Sequence, residues 1–370
     1  MSAASQLINN GNTFLRRNEL NRKKALIILL IAVILIAVFG VCMHLIEKHG
    51  LKDIQFGDTG DWGGKDDEIY LTFNDKDYIS HDDVNAYLIA GTDAGGEDLG
   101  EGYNGELADF ITVLLIDNTT KKYAFYQVDR NTMVDMAIRD ASGDYNSFAL
   151  QQLCLAHWYG VSDEERNSNL CNATTDVLGG VELEGYYVLS MKDTGAVNNA
   201  IGGVTVDIDT DMTKLDPAFV KGTSVHLTDD QAEKFLRARM SVGGGTNAER
   251  MARQTQYMQK AYNLIINQLR ENPEYINDLY DQLEDKVQSD GTGKRMSVIT
   301  RQLIEYENQG IITFAGKTEL GDTIGEGIEH EEFYRNEESV MKDLSKVMNI
   351  EEDTSSDDEE DEDHEEDEEE

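Results

Sequence analysis

The stretch FITVLLIDNTTKKYAFYQVDR, residues 110–130, consists of two apolar segments separated by a short polar one. Both apolar segments have the length and the β-branched and aromatic content of β-strands, and the polar residues 118–121 are typical of a turn. The stretch therefore predicts two consecutive strands that end at Arg130.

Apolar and helical patterns alternate on either side of this pair. NAYLIAGTD (85–93) predicts a buried strand that enters a glycine-rich loop, and residues 186–209 predict a strand, a helix and a strand. A further strand is expected at GIITFAG (310–316) and an amphipathic helix at residues 338–348.

The segment LTDDQAEKFLRAR (227–239) has the pattern of a helix start, because Gln231 follows Thr228 by three residues as in a capping box. This helix should stop before the glycines at 243–245, and a long helix should follow at about 248–270. Strands interleaved with helices predict an α/β fold (an α+β sandwich) with a central mixed β-sheet flanked by helices.

Residues 25–43, ALIILLIAVILIAVFGVCM, carry no charge and are long enough for a bilayer core. Five basic residues precede this run: Arg16, Arg17, Arg22, Lys23 and Lys24. The sequence predicts a cytoplasmic segment at 1–24 and a transmembrane helix at 25–46 in the cell membrane, with the following residues on the extracellular side. A cleavable signal peptide is the alternative, although no small-residue cleavage site follows.

Composition suggests how the exported part is divided. We expect a Gly- and Asp-rich spacer at 47–83 with at most one short strand at 69–73, and one domain at 84–350. An acidic tail that cannot bury enough apolar surface to fold is expected at 351–370. The formal net charge is −40, of which the last twenty residues supply −16, so the remaining −24 still argues against general nucleic-acid binding.

Three cysteines, Cys42, Cys154 and Cys171, are too few for a disulfide scaffold and lack zinc-site spacing. Cys154 and Cys171 are open to two interpretations, a disulfide in an exported domain or two buried thiols. His157 is more typical of a packed or surface histidine than of a catalyst. The sequence has no Ser/His/Asp pattern, Walker loop or HExxH motif.

The stretch RARMSVGGGTNAERMARQTQ, residues 237–256, gathers positive charge in an acidic chain. Arg250, Arg253 and Gln254 share one helix face, and Arg237 and Arg239 share one face of an extended segment. Together their guanidinium groups suit a diphosphate, helped by the N-terminus of the long helix. The competing interpretation is that these arginines pair with surface carboxylates.

Asp93 and Asp109 stand at the ends of predicted strands beside the glycine-rich loop. Two such carboxylates suit a shared Mg²⁺, whose shell is completed by water and substrate phosphate, and either one suits the role of proton acceptor. Ordinary turn or cap roles are the alternative. Arg130, at the end of the second strand of the opening stretch, is a fifth candidate cation.

The order of these motifs resembles the LytR-CpsA-Psr family of cell-wall glycopolymer transferases over roughly residues 85–260. The resemblance rests on GTD, ADFITVLLID, VDRNT, GGVTVDID, AEKFLRAR and AERMARQ. It implies a Mg²⁺-dependent phosphotransfer from a polyprenyl-pyrophosphate-linked glycan to a peptidoglycan hydroxyl, in the membrane of a Gram-positive type bacterium. A lipid slot between sheet and helices is also implied.

The resemblance also implies roles for individual residues. Asp93 and Asp109 would hold the metal and, with Arg130, form the catalytic group. The substrate-binding set would be Arg130, Arg237, Arg239, Arg250, Arg253 and Gln254.

This chain departs from the family pattern around that site. Leu107, Gln152 and Cys154 stand where the family has arginine, lysine and asparagine, and Asn131 replaces an aspartate. The changes at Leu107 and Gln152 remove positive charge from the rim of the site. They keep open a second hypothesis, a polyprenyl-phosphate-binding or wall-anchored scaffold that has lost turnover.

Overall fold

The computed structural model describes residues 68–93, 106–139, 144–240, 242–272, 275–283, 285–291, 293–321 and 330–354. Among them no helix is long and apolar enough to cross a membrane. The predicted transmembrane helix at 25–46 and residues 355–370 of the predicted tail lie outside the described residues.

Fifteen strands are described. They are β1 (Ile69–Phe73), β2 (Lys76–Ser80), β3 (Val84–Asp93), β4 (Leu107–Asp117), β5 (Lys122–Val128), β6 (Met133–Arg139), β7 (Tyr145–Gln152), β8 (Gly185–Ser190), β9 (Thr205–Asp207), β10 (Ser224–His226), β11 (Val287–Ser289), β12 (Glu307–Thr313), β13 (Gly316–Gly321), β14 (His330–Arg335) and β15 (Glu351–Glu352). Seven α-helices are described. They are α1 (Asp163–Val177), α2 (Thr194–Ala200), α3 (Asp229–Arg237), α4 (Asn247–Glu271), α5 (Tyr275–Leu283), α6 (Gly293–Glu305) and α7 (Glu337–Leu344).

A six-stranded mixed sheet forms the centre, in the order β11-β8-β3-β4-β5-β12. The opening stretch supplies β4 and β5, which pair antiparallel as expected from its two apolar segments. β3 pairs antiparallel with β4 and parallel with β8, and β12 joins β5 in parallel. The prediction of a central mixed sheet is confirmed.

Both faces of this sheet are covered. In β4, Leu114 and Ile116 point into one apolar cluster, whereas Val113 and Leu115 point into the other, and all four are fully buried. Helices α2 to α6 pack on the first face, and α1, α7 and β1 pack on the second. The expected flanking helices are therefore present, and strands buried on both sides explain the nearly continuous apolar run.

The connection between α3 and α4 forms as its sequence predicts. Thr228 and Gln231 make the reciprocal capping box at the start of α3. Gly243 and Gly245 have φ angles of 55° and 75°, a region that favours glycine, so the chain reverses between the two helices. Thr246 then caps α4 by accepting a hydrogen bond from the backbone N–H of Glu249 at 3.3 Å.

The folded region begins earlier than the predicted boundary at residue 84. We expected at most one strand in the spacer, but β1 and β2 form an antiparallel hairpin, and β15 from the predicted tail pairs with β2. The alternate residues Leu71 and Phe73 are each only 1% exposed, so this hairpin buries one face in the core. The strand expected at 69–73 is thus present as β1, whereas β2, in the same Gly- and Asp-rich surroundings, was not predicted.

Candidate active site

Asp109 occupies an irregular position in the sheet. The pairing of β3 with β4 joins Gly91 to Phe110 and then Thr92 to Ala108, so Asp109 is the extra residue of a β-bulge. A bulge changes the direction of the side chains beside it, and bulges are common next to active sites. The side chain of Asp109 is 12% exposed.

Two arginines from different elements converge on Asp109. Arg130 follows the end of β5, and Arg250 lies in the first turn of α4. The Nη1 atoms of both lie 3.2 Å from the same oxygen, Oδ1 of Asp109. Neither contact has hydrogen-bond geometry, and among the described residues no donor hydrogen-bonds to this buried oxygen. Asp109 and the two arginines thus form a largely buried group with one excess positive charge.

Some N–H donors of these two arginines make no hydrogen bond to the described residues. Nη2 of Arg250 donates to Oδ1 of Asn247 at 2.6 Å, but the buried Nε atoms of Arg130 and Arg250 have no hydrogen-bond partner among the described residues. Burial lowers the pKa of the Arg250 guanidinium and Asp109 opposes that effect, while the group keeps its charge at neutral pH. Buried, unpaired guanidinium donors favour an anionic ligand.

Asp93 and Arg237 form a second pair at the rim. Asp93 is the last residue of β3, Arg237 is the last residue of α3, and Nη2 of Arg237 contacts Oδ1 of Asp93 closely. Nη1 of Arg237 also lies 2.7 Å from Oε1 of Glu233, one helical turn earlier. The predicted metal ligand and the predicted phosphate ligand are thus paired with each other.

Arg239 pairs with a residue that the sequence analysis did not identify. Its Nη2 donates to Oε2 of Glu331 on β14 at 2.7 Å. β14 pairs antiparallel with β13, and neither strand was predicted. Glu331 is one of 72 acidic residues in the chain. No local pattern distinguishes it, because its role depends on a contact made across the fold.

Arg253 and Gln254 have partners other than Asp109. The guanidinium of Arg253 donates from Nε to the carbonyl of Phe235 at 3.1 Å and from Nη2 to the carbonyl of Ala238, which satisfies the C-terminal end of α3. Gln254 is buried and accepts a hydrogen bond from Gln127 at 3.4 Å. The structure therefore brings Arg130 and Arg250 together around Asp109, whereas Arg253 serves the backbone.

Three of the residues that depart from the family pattern, Asn131, Gln152 and Cys154, have polar partners at the site. Nε2 of Gln152 donates to Oδ1 of Asn131 at 3.1 Å and to the carbonyl of Glu331 at 2.6 Å. Nη2 of Arg130 lies 2.8 Å from Sγ of Cys154. Each of these neutral residues therefore has a polar partner at the site, so none of them leaves an unpaired group where the family has a different residue.

A small apolar cavity lies next to Gln254, between the sheet and helices α2 to α4. Its volume is about 30 Å³, and Phe110, Met191, Leu236 and Tyr257 are among the lining residues. A cavity of this size holds no lipid chain as it stands. Met191 is flexible, however, and a side chain of that kind can yield space to an apolar guest.

The remaining candidates are structural. Cys154 and Cys171 are both free thiols, and burial raises the pKa of Cys171 to about 12. His157 is 1% exposed, and its ring nitrogens lie 3.0 Å from Oδ1 of Asn167 and 3.3 Å from the carbonyl of Glu106. Burial lowers the pKa of His157, which keeps the ring neutral at neutral pH.

The carboxylates at the site suit a metal ion only together with a substrate. Within the described part of the chain, no group of three or more Asp, Glu, His or Cys side chains is arranged to hold a metal. Mg²⁺, however, often takes one or two carboxylates and completes its shell with water and phosphate. Asp93 and Asp109 are the expected pair, and the buried Oδ1 of Asp109 lacks a hydrogen bond although two arginine nitrogens lie 3.2 Å from it.

Comparison with known proteins shows the family of this chain. The model of the LytR_cpsA_psr family matches residues 62–349, well over half of the chain. The chain is 28% identical over 181 residues to the polyisoprenyl-teichoic acid–peptidoglycan teichoic acid transferase TagU of Bacillus mycoides (strain KBAB4). That match covers 49% of this chain and 52% of TagU, so it spans about half the length of this curated relative.

Two solved structures have a similar fold. B. subtilis TagV matches with a TM-score of 0.52 at 18% identity, covering 71% of this chain and 97% of TagV. TagT bound to LI-WTA matches with a TM-score of 0.51 at 14% identity, covering 72% of this chain and 90% of TagT.

Proposed function

The chain belongs to the LytR_cpsA_psr family. On that premise we propose that it is a membrane-anchored extracellular phosphotransferase, which moves a glycopolymer from a polyprenyl-pyrophosphate carrier to peptidoglycan and releases polyprenyl phosphate. The observation that carries the proposal is the convergence of Arg130 and Arg250 on Asp109. The name of TagU, a teichoic acid transferase that acts on peptidoglycan, supports the substrate class.

The transfer is an in-line displacement at phosphorus. An acceptor hydroxyl oxygen forms the new bond to the phosphorus that carries the glycan, and the bond from that phosphorus to the oxygen of polyprenyl phosphate breaks. The leaving group departs with the bonding electrons, and the hydroxyl proton passes to a carboxylate or to water. The protein's task is to orient the diphosphate and neutralise its charge.

The arginines supply that neutralisation. Arg130 and Arg250 have free Nε donors in a site where water is largely excluded, so a phosphate oxygen placed there receives strong hydrogen bonds. Arg237 lies at the more exposed rim, where Asp93 is its partner. Mg²⁺, when held by Asp93 and Asp109 together with the diphosphate, would supply further positive charge at the reacting phosphate. Both carboxylates would then have to exchange part of their contact with arginine.

The test uses the full-length chain in detergent with a polyprenyl-pyrophosphate oligosaccharide, peptidoglycan fragments and Mg²⁺. Release of polyprenyl phosphate is measured for the wild type and for Asp93→Ala, Asp109→Asn and Arg250→Ala. The control is Lys260→Ala, which removes an exposed cation from the same helix as Arg250. Release that depends on Asp93, Asp109 and Arg250, but not on Lys260, is the expected result.

A binding protein without turnover is the second candidate. It is favoured by the neutral residues Asn131 and Gln152 at the rim and by the pairing of Arg239 with Glu331. Bound polyprenyl diphosphate without any release in the same assay would select this candidate. If the chain neither binds polyprenyl diphosphate nor releases polyprenyl phosphate, both candidate functions are contradicted.

A further inference from the structure

The carboxylate of Glu331 occupies a ring of hydrogen-bond donors at the N-terminus of α4. Its Oε2 atom accepts hydrogen bonds from Nη2 of Arg239 at 2.7 Å, from Nδ2 of Asn131 at 3.1 Å and from the backbone N–H of Asn247 at 3.4 Å. A guanidinium, an amide and a helix N-terminus together form a typical set of ligands for a phosphate oxygen.

The unused donors beside this ring also indicate an anionic ligand. The Nε atom of Arg239 is buried and has no partner among the described residues. Arg250, only 3% exposed, reaches the same helix end by donating to the side chain of Asn247, and its Nε is equally unpartnered. These donors remain available although Glu331 is already in place.

Hydrogen bonds fix the backbone around Glu331. Its carbonyl accepts from Nε2 of Gln152 at 2.6 Å, and the N–H of Phe333 donates to the carbonyl of Asn131 at 2.9 Å. Phe333 also forms a bridge with Thr132. The strand is therefore attached to the site, and only the side chain of Glu331 is free to change its partners.

We propose that Glu331 is a specificity-determining residue, an internal counter-anion that competes with the diphosphate of the donor for Arg239. This inference rests on the proposed function. When the diphosphate binds, one of its oxygens takes the place of the carboxylate at Arg239. A ligand with one negative charge then gains too little to displace Glu331, whereas a diphosphate offers enough charge and enough oxygen atoms to do so.

The competition is tested by isothermal titration of the full-length chain in detergent with inorganic pyrophosphate. The variant Glu331→Gln keeps the size of the side chain and removes its charge. It should bind pyrophosphate about tenfold more tightly, because a charge-assisted hydrogen bond no longer has to be broken. The matched control is Glu319→Gln, the same change at an exposed position on the neighbouring strand β13, which should bind like the wild type.

A double-mutant cycle assigns the effect to Arg239. In the background of Arg239→Gln, the change Glu331→Gln should give no gain, since the contested cation is absent. Urea unfolding of each variant shows whether it is folded at the temperature of the titration.

Any result other than the expected one overturns the inference. Equal affinities of the wild type and Glu331→Gln would overturn it and leave the proposed function intact. Weaker binding by Glu331→Gln, or a gain that persists without Arg239, would show that Glu331 does not compete for that arginine. No pyrophosphate binding by any variant would contradict both this inference and the diphosphate site on which the proposed function depends.

Discussion

Arg130 and Arg250 are brought into one site by a single carboxylate oxygen, since Nη1 of each lies 3.2 Å from Oδ1 of Asp109. One arginine follows a central strand, and the other lies in the first turn of the longest described helix. Asp109 therefore has a structural effect as well as its proposed chemical role. It holds two buried like charges together that would otherwise repel each other.

Asp109→Asn tests that effect on stability. The change leaves Arg130 and Arg250 without a counter-charge, so the free energy of unfolding should fall by about 3 kcal/mol. Urea denaturation followed by circular dichroism measures it. Asp207→Asn, which removes a carboxylate from an exposed pair with Lys260, is the control and should leave the unfolding midpoint unchanged. Equal unfolding midpoints for Asp109→Asn and the wild type would contradict the structural role.

We expect Arg253 to contribute to stability and not to ligand binding, although it lies in the same motif as Arg250. Arg253→Ala removes two hydrogen bonds to the C-terminal end of α3, at Phe235 and Ala238. We expect the free energy of unfolding to fall by about 2 kcal/mol. Pyrophosphate affinity, measured by titration, should change much less than in Arg250→Ala. A loss of affinity as large as that of Arg250→Ala would place Arg253 in the ligand site.

Gly91 marks a close approach between the sheet and the residues that precede α2. A Cβ atom at this position would lie 2.5 Å from Sδ of Met191 and 3.1 Å from Cβ of Phe110. Gly91→Ala should therefore destabilise the protein by about 1–2 kcal/mol through overpacking. In the background of Met191→Ala, Gly91→Ala should lower the free energy of unfolding by less. A double-mutant cycle with urea unfolding measures the difference.

Gly244→Ala is the control for Gly91, because a Cβ at Gly244 would make only ordinary contacts, the nearest at 3.5 Å. Additive effects of Gly91→Ala and Met191→Ala would show that the two residues are not in contact.

His157 should make stability depend on pH. Burial lowers the pKa of the folded-state imidazole, so between that value and about 6.5 the unfolded chain binds more protons. The free energy of unfolding should therefore be undiminished above pH 6.5 and fall as the pH decreases through this window. His157→Gln should flatten this slope in urea titrations from pH 7.5 to 5.5. An unchanged slope in His157→Gln would contradict the prediction.

The sequence alone determined the elements that depend on local patterns. Two apolar runs with a polar turn specified β4 and β5, and Thr228 with Gln231 specified the start of α3. These features were predictable because they depend on neighbours within a few residues, through strand pleating or helix capping. The order of the motifs also indicated the family that the comparisons show.

Only the tertiary structure decided how the charged residues pair. The bulge at Asp109 results from the register between two strands, and Glu331 reaches Arg239 from a strand 92 positions away in the chain. Arginine spacing alone suggested equal roles for Arg250 and Arg253, yet a guanidinium on a helix can reach either a carboxylate or a neighbouring helix end. Which one it reaches depends on the packing of α3 against α4, and packing is a property of the whole fold rather than of local spacing.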